Sequence, residues 1–340
     1  MTAGRGAPLA DLGWSDFFAD QVEPEEAGFA PMRVATVHRA RLTAMDGEAQ
    51  LRLTLPLHAQ TTNFAVGDWV LADPDTLALH RQLDRRTLLE RHTAGARTPQ
   101  LIAANIDTLF IVTSCNADFN PARLERYLAL ANEAGTRPVI VLTKIDAIAE
   151  PRDYEGEAAA LQRDLAVVSL NARSETAAGV LAPWCGPGQT VALVGSSGVG
   201  KSTLLNTLAG AGQERPQETG AIREVDAKGR HTTTARSLHP IAGGGWVIDT
   251  PGMRTLHVSD LAHGIDTLFA EITELAPLCR FRDCTHAHEP GCAVQAAVAS
   301  GTLDPARLAR WRKLHDENQA NAPAPPGGGG KGGGGRRGKR

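Results

Sequence analysis

The stretch GSSGVGKST, residues 195–203, constrains the fold of this chain more than any other feature. It matches G-x-x-x-x-G-K-[ST], with Gly195, Gly200, Lys201 and Ser202 at the fixed positions, between the apolar run VALV and the helix-like run LLNTLAG. Glycines let successive backbone N–H groups turn inward around a phosphate chain, and the positive end of the following helix dipole adds to that field. The sequence therefore predicts a strand, a phosphate-binding loop and a helix.

The side chains of this loop have separate predicted roles. We expect Lys201 to reach the β- and γ-phosphates of a nucleotide, the Ser202 hydroxyl to bind Mg²⁺, and Thr203 to touch the α-phosphate. The rest of the loop would surround the phosphates with its backbone: Gly195, Ser196, Ser197, Gly198, Val199 and Gly200. The loop does not choose between ATP and GTP, so the base must be read elsewhere.

The run VLTKID, residues 141–146, ends a strand-like segment and resembles the guanine-reading Asn-Lys-x-Asp motif of GTPases. The Asp146 carboxylate can accept hydrogen bonds from the ring N–H and the exocyclic amine of guanine, a donor pair that adenine lacks. Lys144 would lie over the base and brace the phosphate loop, and Ile145 separates the two. Thr143 stands where Asn is usual, and its shorter hydroxyl leaves one base contact open.

The run WVIDTPG, residues 246–252, has the pattern of a γ-phosphate sensor at the end of a strand. Asp249 would hold Mg²⁺ through a water, and the Gly252 N–H would meet the γ-phosphate. Many GTPases carry a glutamine next to orient the attacking water, but here that position is Met253, whose thioether cannot do so. We therefore expect slow intrinsic hydrolysis, with His231 as the best substitute in the sequence for positioning water.

Two further stretches fit the same site. GRHTTTAR, residues 229–236, offers Thr233 or Thr234 to complete the Mg²⁺ shell, and the sequence does not choose between them. VVSLNA contains a strand-like run that ends in Ser169, which fits the loop behind the guanine O6 atom.

The order of these motifs along the chain is unusual. Ordinary GTPases place the phosphate loop before the base-reading motif, whereas here residues 143–146 and Ser169 precede residues 195–203. The chain therefore looks circularly permuted, and its γ-phosphate sensor runs directly into a C-terminal module. In this motif order, the chain resembles the circularly permuted GTPases that depend on the small ribosomal subunit, the RsgA family, over about residues 30–318.

The resemblance implies an α/β P-loop GTPase domain, circularly permuted, with an N-terminal OB-like β-barrel and a C-terminal zinc-binding helical module. It implies hydrolysis of GTP to GDP and phosphate, stimulated by the small ribosomal subunit during late maturation of that subunit. The barrel and the zinc module would bind its rRNA. A cytoplasmic monomer without a membrane contact fits this activity.

Four potential metal ligands cluster near the C-terminus with the spacing C-x4-C-x-H-x5-C: Cys279, Cys284, His286 and Cys292. Three thiolates and an imidazole suit one structural Zn²⁺ ion in tetrahedral coordination, with no position left for catalysis. His288 is a competing imidazole, and the spacing in the family favours His286. The two other cysteines, Cys115 and Cys185, stand alone and are expected to pack rather than react.

Composition limits where nucleic acid could bind. The 36.0 kDa chain has a formal net charge of −3, so any contact with RNA must be local. Six arginines of the barrel region are candidates for phosphate contacts: Arg33, Arg39, Arg41, Arg52, Arg85 and Arg86. No signal-peptide pattern and no apolar run of ~18 residues is present, so a cytosolic protein is expected.

Five segments are predicted: a poorly ordered N-terminus, an OB-fold barrel, the permuted GTPase domain, the zinc-binding domain and a disordered basic tail rich in glycine, at residues 1–30, 31–92, 93–260, 261–318 and 319–340. Local signals add a hairpin turn at Asp46-Gly47, a helix capped by Asn120 and closed by Gly135, and a last helix from Pro305.

Two other functions fit parts of the sequence. An ATP-dependent enzyme is compatible with the phosphate loop, which reads no base. An RNA-binding assembly factor with a regulatory, poorly catalytic nucleotide site is compatible with Met253, because that residue replaces a usual catalytic helper.

Overall fold

The computed structural model describes residues 6–38, 41–91, 98–148, 152–209, 236–250 and 260–321. Its strands are β1 (Ala30–His38), β2 (Arg41–Met45), β3 (Gln50–Leu53), β4 (Trp69–Ala72), β5 (Leu79–Gln82), β6 (Leu88–Arg91), β7 (Gln100–Ala104), β8 (Thr108–Ser114), β9 (Arg137–Thr143), β10 (Ala166–Ser169), β11 (Thr190–Val194), β12 (Leu238–Pro240) and β13 (Trp246–Ile248). Its helices are α1 (Gly6–Asp11), α2 (Asp16–Ala19), α3 (Pro121–Glu133), α4 (Tyr154–Ala159), α5 (Ala177–Leu181), α6 (Lys201–Ala209), α7 (Ala262–Leu268), α8 (Ala270–Thr273), α9 (Ala293–Ala299) and α10 (Pro305–Asn321).

The first sheet joins five strands in the order β3-β2-β1-β4-β5, and each neighbouring pair is antiparallel. Its two edges meet where Thr54, just after β3, pairs in parallel with Ala78, just before β5. The Thr54 N–H donates to the Leu77 carbonyl at 2.8 Å, and the Leu79 N–H donates to the Thr54 carbonyl at 2.9 Å. The sheet therefore closes into a small barrel, which leaves few unpaired backbone groups at its edges.

The predicted hairpin turn joins β2 to β3. Gly47 has φ +102°, in the left-handed region that glycine enters at little cost. The Asp46 Oδ1 atom accepts hydrogen bonds from the N–H groups of Glu48 and Ala49, each at 2.9 Å. The turn prediction is confirmed, and the hydrogen bonds that stabilise the turn involve only residues 46–49.

The N-terminal segment differs from the expectation of poor order for residues 1–30. From residue 6 onward it forms α1 and α2 and lies against the barrel. Leu12 and Phe18 are buried, and the ring of barrel residue Trp69 lies 5.7 Å from Phe18 and 4.8 Å from Trp14 between centroids. Burial of these large aromatic groups against the barrel supplies the stabilisation that orders the segment.

The expectation that Arg33 is available for phosphate contact is also wrong. Its side chain is only 1% exposed and donates to the carbonyl groups of Leu12, Gly67 and Asn105. Burial lowers the pKa of Arg33 to about 10. Arg33 therefore joins the N-terminal segment, the barrel and the central domain, and it does not face a nucleic acid.

The central sheet has the strand order β10-β9-β8-β11-β13-β12. All neighbouring pairs are parallel except β12 with β13, which are antiparallel. Alternate side chains of each strand point to opposite faces. One face packs on α3 and α7, and the other packs on α5 and α6. The sheet is therefore covered on both sides, as the alternation of strands and helices predicted.

The helix α3 follows its sequence signals. Asn120 caps it, and the Asn120 Oδ1 atom accepts from the Arg123 N–H at 3.1 Å. Pro121 occupies the first turn, and Gly135, with φ +71°, follows the C-terminus. The prediction for this helix is confirmed because both its boundaries are set by neighbouring residues.

The C-terminal helices pack on α3. The last helix, α10, begins at Pro305 as predicted but extends to Asn321, so residues 319–321 are helical and do not belong to a disordered tail. Arg307 of α10 is buried, and its guanidinium donates to Glu125 of α3 at 2.8 Å. This ion pair fastens the C-terminal module to the central domain.

The barrel is also joined to the central sheet through backbone contacts. Thr36 of β1 forms an antiparallel bridge with Ser237, next to β12, and Val66 forms a parallel bridge with Ala103 of β7. The strands β6 and β7 form a separate antiparallel pair between the two parts. Within the described ranges, no helix is both long and apolar enough to cross a membrane.

Candidate nucleotide site and metal centre

The parallel strands bring the predicted nucleotide residues to one edge of the central sheet. Thr143 ends β9, Ser169 ends β10, Gly195 follows β11 and Asp249 follows β13. The carboxyl ends of parallel strands share one edge, which is where open α/β sheets bind ligands. Motifs that lie in an unusual order along the chain therefore meet in space.

The phosphate loop leaves the buried strand β11 through glycines with positive φ. The φ angles are +140° at Gly195, +78° at Gly198 and +99° at Gly200. A Cβ atom on Gly195 would lie 2.1 Å from the carbonyl oxygen of Val112 in β8, so only glycine fits there. The loop conformation thus requires glycine at the positions that the motif prescribes.

Lys201 begins α6, and its ammonium group turns back over the loop. The Lys201 Nζ atom donates to the Gly195 carbonyl at 2.8 Å and also to the carbonyl of Ser196. Ser202 and Thr203 are half-buried in the first turn of the same helix. A cation, a loop and a helix N-terminus therefore converge, an arrangement that binds phosphate.

The other loop residues differ in exposure. Ser197 and Gly198 are exposed at the tip of the loop, whereas Val199 is buried against the sheet. Val199 belongs to the cluster that packs under α6, which anchors the second half of the loop. The tip is accessible to a ligand while its base is held by the core.

The side chain of Thr143 points to the phosphate loop. It is fully buried, and its Oγ1 atom lies 2.6 Å from the Val199 carbonyl oxygen and 3.1 Å from the Thr113 carbonyl oxygen, with the hydroxyl as donor. The Thr143 hydroxyl, whose contact with the base the sequence left open, therefore braces the predicted base-reading motif against the phosphate loop. Sequence alone offered no signal for this link.

The rest of the base-reading motif lies at the surface. Lys144 has φ +58° and turns the chain after β9 into the short turn Ile145–Ala147. Asp146 and Ile145 are exposed, and Ser169 at the end of β10 is half-buried. The Asp146 carboxylate is therefore accessible to a base at the same sheet edge.

The first two residues of Asp-x-x-Gly are held by neighbouring strands. The Asp249 N–H donates to the Ser237 carbonyl at 3.1 Å, and the Thr250 hydroxyl donates to the Leu193 carbonyl at 2.6 Å. Asp249 is thereby positioned beside the phosphate loop. The other predicted residues lie outside the described residues: Gly252, Met253, His231, Thr233 and Thr234.

Three cysteines and one histidine come together in the C-terminal module, and their ligand atoms all lie within 4.8 Å of one another: Cys279, Cys284, His286 and Cys292. The His286 Nδ1 atom is 3.5 Å from the sulfurs of Cys279 and Cys292, which are 3.9 Å apart. Tetrahedral Zn²⁺ with bonds of about 2.3 Å to sulfur and 2.0 Å to nitrogen would separate such atoms by roughly 3.5–3.8 Å. The donor set fits a structural zinc ion.

Comparison with known proteins decides the family. The model of the RsgA GTPase family matches residues 82–259, about half of the chain. The chain belongs to the RsgA GTPase family. It is therefore a GTP hydrolase, and the resemblance inferred from motif order is confirmed.

Two RsgA proteins are similar over almost their whole length. The Small ribosomal subunit biogenesis GTPase RsgA of Mesorhizobium japonicum is 68% identical over 332 residues, covering 98% of this chain and 96% of the relative. The Small ribosomal subunit biogenesis GTPase RsgA 2 of Vibrio vulnificus is 46% identical, covering 95% of this chain and 91% of the relative.

Two solved structures have the same fold. The crystal structure of YjeQ from Thermotoga maritima aligns with a TM-score of 0.61 at 25% identity, over 85% of this chain and 98% of that one. YloQ, described as a circularly permuted GTPase, aligns with a TM-score of 0.61 at 22% identity, over 89% of this chain and 99% of that one. The circular permutation predicted from motif order is confirmed.

Backbone donors support the thiolates in this RsgA-family protein. The Ala293 N–H donates to Cys279 Sγ at 3.3 Å, and the Gln295 N–H donates to Cys292 Sγ at 3.4 Å. Burial acts to raise the pKa of the Cys279 thiol, but the hydrogen bonds from backbone N–H groups outweigh it and lower that pKa. Thiolate is the form that binds a metal.

The histidine of the cluster is also prepared as a ligand. His286 has φ +58°, and its carbonyl accepts hydrogen bonds from the side chains of Gln295 and Arg312. Burial lowers the pKa of His286, which favours the neutral imidazole that a metal needs. The competing residue His288 is exposed and is not part of the cluster.

Proposed function

We propose that this RsgA-family GTPase binds the small ribosomal subunit and acts in its late maturation, with GTP hydrolysis stimulated by the subunit. The observation that carries the proposal is the 68% identity, over nearly the full length of both chains, to a protein named for small ribosomal subunit biogenesis. We propose that it works as a monomer in the cytoplasm, where ribosomal subunits mature in bacteria.

Within the nucleotide site, we assign the phosphates of GTP or GDP to the loop from Gly195 to Thr203. Lys201 would neutralise the β- and γ-phosphates, and Asp146 would read guanine beneath Lys144. The converging strand ends and the accessible Asp146 carboxylate support this assignment. The remaining base-site residues are Ile145, Ser169 and, as the brace of the loop, Thr143.

Magnesium bound with GTP would neutralise charge that develops on the phosphates during hydrolysis. Ser202 is the proposed protein ligand, and Asp249 the proposed partner of a metal-bound water. The second switch ligand, Thr233 or Thr234, the γ-phosphate contact of Gly252 and the water-positioning role of His231 are proposed from the sequence alone.

The C-terminal cluster is proposed to hold one structural Zn²⁺ ion. All four donors come from the protein, so the metal would stabilise the fold and take no part in hydrolysis. The separations of 3.5 Å and 3.9 Å among the sulfur and nitrogen atoms support zinc as the metal.

Contact with rRNA is proposed for the barrel and the zinc module. Arg41 and Arg52 are exposed on adjacent strands of the barrel, where they are available to phosphates. In the zinc module, the Phe281 ring is 41% exposed and the Arg280 guanidinium lies 5.5 Å from its centroid. Exposed aromatic and arginine side chains suit unpaired RNA bases and phosphates.

The test is GTP hydrolysis by the purified full chain, with and without small ribosomal subunits. We expect strong stimulation by subunits, specific to GTP over ATP, and loss of turnover in Lys201→Ala. Turnover that subunits leave unchanged would remove the ribosomal partner while leaving the GTPase. Turnover that survives Lys201→Ala would remove the assigned phosphate site.

The choice of base has its own test. Asp146 is exposed, so Asp146→Ala is expected to fold normally. It should raise the Kd of GTP about tenfold or more, because hydrogen bonds to a charged group are lost, and should leave the weak Kd of ATP nearly unchanged. Equal effects on the two nucleotides would reject Asp146 as the residue that reads guanine.

A further inference from the structure

One arginine reaches the phosphate loop from an element outside the predicted motifs. Arg123 lies in the first turn of α3, and its Nη1 atom donates to the hydroxyl oxygen of Ser196 in the loop, 73 residues further along the chain. The helix α3 covers the face of the sheet opposite to α6. Arg123 therefore reaches the phosphate loop from the face of the sheet that α6 does not cover.

Arg123 differs in its charge partners from other arginines near it. Arg126, one turn along α3, pairs with Glu317, and Arg307 and Arg310 both pair with Glu125. Among the residues that the structure describes, no carboxylate forms an ion pair with Arg123. The Arg123 guanidinium is half-buried and hydrogen-bonded to a neutral hydroxyl.

Two cationic side chains thus meet at one loop residue. The Lys201 ammonium donates to the main-chain carbonyl of Ser196, while the Arg123 guanidinium donates to the Ser196 side chain. Two like charges that converge are stabilised by an anion between them. Arginine suits a phosphate oxygen pair because its planar fork can donate two parallel hydrogen bonds.

The position of Ser196 indicates which phosphate of a bound nucleotide would lie nearest to Arg123. Lys201, the residue that reaches the β- and γ-phosphates, turns back toward the start of the loop, whereas Thr203 in α6 lies at the α-phosphate end. Asp249 and Thr250, the start of the γ-phosphate sensor, are held beside the same end of the loop by Ser237 and Leu193. Arg123 therefore lies at the γ-phosphate end.

We propose that Arg123 binds the γ-phosphate of GTP in cis and makes the protein favour GTP over GDP. Its guanidinium exchanges the Ser196 hydroxyl for γ-phosphate oxygens when the triphosphate binds. When hydrolysis has removed the γ-phosphate, the contact is lost and the guanidinium returns to Ser196. The inference rests on the assignment of the phosphate loop made under the proposed function.

The test compares the Kd of GTPγS and of GDP by isothermal titration calorimetry on the full chain. Arg123→Gln keeps a long polar side chain without charge and is expected to weaken GTPγS about tenfold or more, with GDP changed less than about twofold. The matched control is Arg126→Gln, one turn along the same helix, which should leave the ratio of the two constants unchanged. Arg123→Lys, which keeps the charge without the fork, should fall between Arg123→Gln and the wild type.

Equal weakening of both nucleotides by Arg123→Gln, or no weakening, would overturn the proposal, because Arg123 would then only brace the loop. Lys201→Ala distinguishes failure of the Arg123 proposal from failure of the assigned phosphate site. If Lys201→Ala still binds both nucleotides, the phosphate site itself is rejected.

Discussion

At the scale of single residues, Thr143 shows how one hydroxyl links two motifs. Its Oγ1 atom lies 2.6 Å from the carbonyl oxygen of Val199, which precedes Gly200 in the phosphate loop. Threonine is short enough to be fully buried there. The base-reading motif and the phosphate loop are therefore rigidly connected at the sheet edge.

We predict that Thr143→Val weakens GTP and GDP to a similar extent and destabilises the fold by about 1–3 kcal/mol. The replacement keeps the shape but leaves buried carbonyl oxygens without their donor. Urea unfolding and calorimetric titration measure the two effects. The matched control is Thr207→Val in α6, whose hydroxyl donates to the Ala172 carbonyl at 2.7 Å, away from the loop. Unchanged nucleotide affinity in Thr143→Val would contradict the brace.

Elements pack closely where α7 crosses α3. A Cβ atom on Gly264 would lie 2.0 Å from the Ala129 carbonyl oxygen and 3.0 Å from the Glu133 nitrogen. The Gly264 N–H also donates to the Glu133 carboxylate at 2.7 Å. The two helices can come this near only because residue 264 has no side chain.

Gly264→Ala is accordingly expected to destabilise the protein by about 1–3 kcal/mol, because the added methyl group meets backbone atoms that cannot move alone. Gly179→Ala is the matched control: the residue lies within α5, and a Cβ atom there meets nothing within 4 Å. Alanine should stabilise that helix slightly. Equal urea midpoints for the two variants would contradict the close crossing.

The N-terminal segment is held to β5 by a charged pair. Both oxygens of Glu26 accept hydrogen bonds from Arg81 at 2.6 Å. The hydrogen bond from Arg81, with others from the Glu23 N–H and His80, lowers the pKa of Glu26 from 4.5 to about 2. Because the pKa in the folded state is the lower one, the stabilisation is complete above pH 4.5 and is lost as the pH falls toward 2.

Glu26→Gln should therefore lower the Tm at pH 7, and its difference from the wild type should shrink as the pH falls below about 4.5. Thermal melts from pH 7 to pH 3 measure this difference in Tm. Losses of stability that are common to both proteins cancel in the difference. Glu25→Gln, an exposed neighbour in the same turn, is the control and should show little difference at any pH. A difference that is constant from pH 7 to pH 3 would reject the role of the Glu26 pair.

At the scale of the whole molecule, the proposed zinc ion would order residues 279–292 of the module that follows the γ-phosphate sensor. The hydrophobic core that contains α3 and α7 also includes Cys292, and the sulfurs of Cys279 and Cys284 pack against it. Ligands within a span of 14 residues, from 279 to 292, hold a segment with little regular structure. A metal would therefore add to this packing and order a segment whose own backbone forms few regular hydrogen bonds.

We expect one zinc ion per chain by elemental analysis, and a loss of that ion together with a lower Tm in Cys284→Ser. The control is Cys185→Ser, since Cys185 is buried in the core of the central domain and is not part of the four-residue cluster. Cys185→Ser should retain the ion. Full zinc content in Cys284→Ser, or none in the wild type, would contradict the site.

Much of the candidate site could be predicted because its signals are short. The phosphate loop needs glycines, a lysine and a hydroxyl within nine residues, and the metal cluster needs its donors within 14. The cap at Asn120 and the turn at Gly47 likewise depend on neighbouring backbone groups. Each of these features depends on residues that are close in the chain, so the sequence pattern alone is enough to predict it.

The order of the N-terminal segment, the burial of Arg33 and the contact of Arg123 with the loop could not be predicted in this way. Arg33 contacts Asn105 at a separation of 72 residues, and Arg123 contacts Ser196 at a separation of 73. Whether an arginine meets solvent, a carbonyl or a phosphate loop depends on which strands become neighbours. Composition and periodicity do not contain that information.

The family, the permuted motif order, the predicted phosphate loop and the predicted metal donors can be recognised in the linear sequence, because each motif is a set of residue types at short spacing. The folded chain alone shows that Thr143 contacts Val199, that Arg33 is internal, and that Arg123 and Lys201 both contact Ser196. The physical reason is the parallel sheet: its strand order, set by burial of both faces, places distant segments at one edge.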